Sequence, residues 1–61
     1  MSPHLVAILA AIFAEQTRVV AMSCMNNARM AEGEAPVYVT ADFDAVIGEL
    51  TNLSIQARNC P

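Results

Sequence analysis

The stretch SPHLVAILAAIFAEQTRVVAMSCMNNARMAEG, Ser2 to Gly33, decides the fold: it holds a helix start signal, a stop signal and nothing between them that breaks a helix. A serine hydroxyl can accept from an orphan amide of a first helical turn, and a proline beside it lacks only an N–H that would go unpaired. Gly33 suits the left-handed residue that follows a helix end. The spacing predicts a helix over about residues 3–32, roughly 45 Å long at 1.5 Å per residue.

Beyond Gly33 the chain changes character. Pro36 disfavours helix at Ala35, so residues 33–40 read as an extended connection. Thr40 is the expected cap of a second helix over about residues 41–59, with Asp42 and Asp44 near its positive end and Arg58 near its negative end. Gly48 inside that helix costs up to about 1 kcal/mol relative to alanine, so it is read as marking a close helix approach. The expected fold is all-α: one domain over residues 1–61, folded as an antiparallel two-helix hairpin.

Each helix carries a heptad. In the first, stepping three and four residues from Ala7 gives Ala10, Ala14, Thr17, Ala21, Cys24, Ala28 and Ala31, all small, with Val6, Phe13 and Val20 flanking. Small seams let helix backbones approach closely and gain dispersion contacts. In the second helix Phe43, Val46, Leu50, Leu53 and Ala57, with Ile47 adjoining, form a bulky core seam. Folding the helices back from Gly33 puts Ala41 near Glu32 and Cys60 level with Phe13. Residues 3–12, with Leu5, Val6, Ile8, Leu9 and Ile12 around most of the circumference, are then expected to lack a partner.

A chain of 61 residues that is 56% hydrophobic has apolar surface in excess of what one small domain buries. The expected remedy is a homodimer, antiparallel about Thr17, closing a four-helix bundle. Its self-association interface comprises Leu5, Ile8, Leu9, Ile12, Ala7, Ala10, Ala14, Thr17 and Ala21. In the connection, Pro36 and the single tyrosine, Tyr38, form a possible partner surface, since tyrosine is enriched in contacts.

Chemistry is sparse. The formal charge is -3, with Arg18, Arg29 and Arg58 the only Lys or Arg residues, which argues against binding a phosphate backbone. His4 has no partner acid in sequence, and Glu15, Glu32, Glu34 and Glu49 are read as solvent-facing or loop positions. Met22, Met25 and Met30 with Cys24 scatter too widely around a helix for convergent metal ligation. Cys24 is read as a small buried seam residue and Cys60 as a tail thiol, both free, as in a reducing cytoplasmic compartment. Gln16, Ser23 and Asn27 are read as a solvated face, and Asn52-Leu53-Ser54 as a chance match to a glycosylation pattern.

No catalytic, cofactor or metal residue is assigned. The expected function is a non-enzymatic assembly or interaction protein acting as a homo-oligomer, of the kind found among small bacterial or phage accessory proteins. The alternatives are a membrane-associated peptide anchored by residues 5–14 and a carrier of a metal or ligand at a subunit interface. The run from Leu5 to Ala14 is half a bilayer span, and no Lys or Arg precedes it as in a signal peptide.

Overall fold

The computed structural model describes residues 2–60; Met1 and Pro61, the two ends of the expected single domain, lie outside the described residues. Two helices, α1 (Pro3–Ala31) and α2 (Thr40–Asn59), pack against each other, and no strand occurs among the described residues. At the start of α1 the Ser2 hydroxyl accepts from the Leu5 N–H at 3.0 Å, with Pro3 the first helical residue. At its end the Gly33 N–H donates to the Met30 carbonyl (3.0 Å) and the Glu34 N–H to the Arg29 carbonyl (2.9 Å). That pair of bonds is a Schellman closure, and it requires the left-handed φ of +77° that Gly33 adopts.

The cap of α2 differs from expectation by one residue. Val39, not Thr40, is the capping position, and Thr40 opens the helix proper. A valine side chain has no acceptor to offer. Instead the Asp42 carboxylate reaches back to accept from the Val39 N–H at 2.8 Å, which satisfies one donor and places negative charge at the helix's positive end.

The seam between the helices also differs from the simplest heptad reading. Ile8 and Met22 of α1 meet Val46 and Leu53 of α2, each at most 8% exposed, and these side chains are the hairpin core. Leu5, Ile12 and Val19 are half-buried along the same line of α1, as are Phe43, Leu50 and Ala57 along α2. The bulky α2 seam lies where its spacing places it, with Ile47 left 57% exposed. On α1, by contrast, the small-residue seam from Ala7 to Ala31 is exposed along its length. Facing α2 with its bulkier stripe removes more apolar area from water than facing it with alanines would. Cys24, expected to be buried, is exposed with the rest of that seam.

The register is the main correction. Tyr38 sits against Asn26, and the Ser2 Oγ and Cys60 Sγ lie 3.6 Å apart, so α2 reaches the start of α1 rather than stopping level with Phe13. The displacement is eleven residues of α1, about 16 Å of helical rise. Its cause is the connection, which turns at Gly33 and runs back along α1 before α2 begins. Residues 3–12 are therefore not an unpartnered overhang. The end of α1 that α2 does not reach is the other one, where Arg29 donates through Nε to the Ala35 carbonyl (2.9 Å) and pairs with Glu34 (3.1 Å).

The result is a thin layer, 49 × 17 × 9 Å between Cα extremes. Its accessible surface is 4364 Å², where a globular monomer of 6.5 kDa is expected near 3,800 Å². Gly48 has nothing within 4 Å of where a Cβ would stand, so it marks no close approach within the hairpin. The two glycines should thus respond oppositely to alanine. Gly33→Ala forces a Cβ onto a left-handed residue and should destabilise by about 1–2 kcal/mol, whereas Gly48→Ala should stabilise by up to about 1 kcal/mol. Urea unfolding midpoints followed by far-UV circular dichroism would check both signs.

Candidate self-association surface

Successive helical residues are about 100° apart, so the line Leu5, Ile8, Ile12, Val19 and Met22 fixes which side of α1 meets α2. The opposite half of the circumference carries Val6, Leu9, Phe13, Val20 and Met25 among the small residues Ala7, Ala10, Ala14, Thr17, Ala21, Cys24, Ala28 and Ala31, with Gln16 and Asn27 at its edge. Every one of these is exposed and none is charged. Phe13 is 71% exposed and Val20 63%, large values for apolar side chains in the middle of a helix. The one hydroxyl on the midline, that of Thr17, donates to the Phe13 carbonyl one turn back at 3.0 Å, so its polarity is satisfied within the helix.

The charged residues of α1 sit elsewhere. Both helices are right-handed and run in opposite directions, so the Leu9 flank of α1 and the Ile47 flank of α2 fall on the same face of the layer. Arg18, Arg29 and Glu49 fall on the other face. The uncharged surface therefore wraps from the outer side of α1 onto one face of the hairpin. On α2 that face continues into a shallow open groove lined by Ile47, Leu50, Thr51, Ser54, Ile55 and Arg58, and the uncharged surface ends there at Arg58.

Several expected interface residues change role. Ile8 is 4% exposed and belongs to the hairpin core, so it is not available to a partner. Leu5 and Ile12 are half-buried at the edge of the same core, while Leu9, Ala7, Ala10, Ala14, Thr17 and Ala21 stand on the exposed surface. Gln16 and Asn27 are exposed and Ser23 is half-buried. Met22 is buried while Met25 and Met30 are 49% and 59% exposed, so the methionines diverge.

Glu15 is the acid whose placement the sequence reading missed. Its side chain is only 21% exposed and lies on the face toward α2, where its Oε2 is buried without a hydrogen-bond partner. The Arg18 guanidinium is 3.7 Å from that oxygen, close enough for Coulombic attraction but too long for a good hydrogen bond. Among the described residues no group of three or more His, Cys, Asp or Glu side chains comes together as a metal-binding cluster.

Asn26 escaped notice in the sequence entirely. Its Nδ2 donates to the Tyr38 carbonyl at 2.8 Å and its Oδ1 accepts from the Tyr38 N–H at 2.9 Å, so one side-chain amide satisfies both backbone groups of Tyr38. This clamp ties the connection to the flank of α1 and fixes where α2 begins. Tyr38 is half-buried beside it, whereas Pro36 is exposed. The available signal was positional: Asn26 follows Met22 by four residues on the stripe that faces α2.

No family model matches the chain, no characterised protein matches its sequence and no solved structure matches it. Asn26→Ala removes both bonds of the clamp and leaves part-buried backbone groups to find water, a loss of roughly 1–3 kcal/mol. Asn27→Ala, one position away and exposed, should change stability by less than about 0.5 kcal/mol. Amide exchange at Tyr38 should accelerate in the first variant alone.

Proposed function

We propose that this chain is a non-enzymatic assembly module that self-associates through the uncharged outer side of α1. One observation carries the reading: half the circumference of a helix of 29 residues is exposed, apolar or small, and free of charge. Exposed apolar patches beyond a few hundred Å² are uncommon on monomers and mark contact surfaces. A core of Ile8, Met22, Val46 and Leu53 is small for independent stability, since single cores in chains of this size rarely supply more than about 3–5 kcal/mol. A second copy covers the exposed side and supplies the missing core at once. Pairing two hairpins gives a four-helix assembly with the two α1 helices at its centre.

A membrane surface is the second reading. The observation supporting it is that α1 is long and apolar enough to cross a bilayer while only 11% of its most apolar window is buried. Against it stand Arg18 and Glu15 on the other side of the same helix, and the absence of the lysines that bind an interfacial helix to anionic lipid. Flotation with vesicles of neutral and anionic lipid separates the two: an assembly module stays with the protein fraction.

Sedimentation equilibrium tests the primary reading. Wild type should be dimeric or larger at micromolar concentration. Leu9→Asp charges the surface and Ala14→Trp overfills it, and each should weaken association at least tenfold, about 1.4 kcal/mol. Helicity should fall with association, because a hairpin this thin is stable only as part of its assembly. Wild type that sediments as a helical monomer would overturn the proposal.

A further inference from the structure

The groove on α2 belongs to a strip whose spacing reads the same from either end. Asp44, Ile47, Thr51, Ile55 and Arg58 follow one another at three, four, four and three residues, and at about 100° per residue they share roughly 80° of the helix circumference. All five are exposed, Ile47 at 57% and Ile55 at 42%, on a side of α2 turned away from the Val46 and Leu53 line that meets α1. Resting on the self-association proposed above, we infer that this strip is a second contact: it packs antiparallel on the same strip of another copy, with a two-fold axis at Thr51, and joins dimers into tetramers or longer arrays.

Charge complementarity names both the occupant and its direction. Neither Asp44 nor Arg58 has an ion-pair partner among the described residues, and fourteen residues of helix, about 21 Å, hold the two apart within one chain. An axis at Thr51 sets each Asp44 level with the other copy's Arg58, so four unpaired charges are matched at once. Ile47 then lies level with the other copy's Ile55. A parallel pair would instead set Asp44 against Asp44 and Arg58 against Arg58. The helix dipole accounts for a base in the last turn, but Asp42 is the acid of the first turn and Asp44 lies beyond it, where the dipole gives little.

The middle of the strip suits close contact. The Thr51 hydroxyl donates to the Ile47 carbonyl at 2.9 Å, so the axis brings no unsatisfied donor into the contact. Gly48 flanks the strip at about the level of the other copy's Ile55, and nothing lies within 4 Å of where its Cβ would stand. The glycine that marks no close approach inside the hairpin thus leaves room for a side chain from outside it. About four turns with two isoleucines per copy are a small patch, too small to hold hairpins that meet nowhere else. The contact therefore works between dimers already formed through α1, an arrangement that leaves α2 on the outside.

Sedimentation velocity of wild type, Asp44→Lys, Arg58→Glu and an equimolar mixture of the two variants tests this contact. Wild type should reach a tetramer or larger at high micromolar concentration. Each variant alone faces like charges at both ends of the strip and should stop at the dimer, its tetramer affinity lowered at least about tenfold. In the mixture the introduced lysine meets the introduced glutamate while Asp44 and Arg58 still meet at the other end, so tetramer should return. A purely structural loss would not be rescued by mixing. Thr51→Cys, oxidised with copper phenanthroline and mapped by mass spectrometry, should link position 51 to itself across chains, because a bridge needs α-carbons within about 7 Å. Gln56→Cys, on the other face, should give no such link. Wild type that stops at the dimer, variants that still form tetramer, a mixture that does not recover, or no link at position 51 would each overturn this contact while leaving the α1 reading standing. A helical wild-type monomer overturns both.

Discussion

Two helices lying side by side bury only the strip along which they touch, and every other feature of this molecule follows from how α1 uses its circumference. α1 carries two apolar sides with Arg18 and Arg29 between them, and α2 covers one of the two. The covered side takes the bulky stripe through Ile8 and Met22. What remains is a second apolar side, built from alanines with a few large side chains, that nothing in the hairpin reaches. The self-association we propose would cover that side, since burying apolar surface is the main favourable term available to so short a chain.

The ends of that arrangement are fixed by polar groups and its length by packing. Ser2 and Gly33 bound α1 through specific amide and carbonyl partners, and Asp42 closes the first turn of α2. Asn26 sets the register, because the residue it clamps lies just before α2 begins. These contacts decide which side chains meet across the seam. They thereby decide which are left outside, so the location of the candidate interface depends on a side-chain amide far from its centre.

Much of this was legible in the sequence. Ser2-Pro3 and Gly33 announce the bounds of α1 because capping chemistry is local, and the α2 seam is legible because only one of that helix's sides is bulky. The register was not legible. It depends on how far the connection runs back along α1, which rests on the long-range pairing of Asn26 with Tyr38, and Asn26 is indistinguishable by composition from its exposed neighbour Asn27. Nor could periodicity say which of the two apolar stripes of α1 faces α2, since both repeat with the same spacing. Glu15 misled for a related reason: a lone carboxylate reads as solvent-facing, but here its neighbours Ile12 and Val19 carry it onto the packed side.

The proposed self-association ties the hairpin's stability to assembly, and one measurement tests that link directly. Far-UV circular dichroism and sedimentation velocity would be followed together over a dilution series of the wild-type chain. Helix content should fall in step with dissociation, because the isolated layer buries too little to persist. A monomer that keeps its full helix content at the lowest concentration would contradict it.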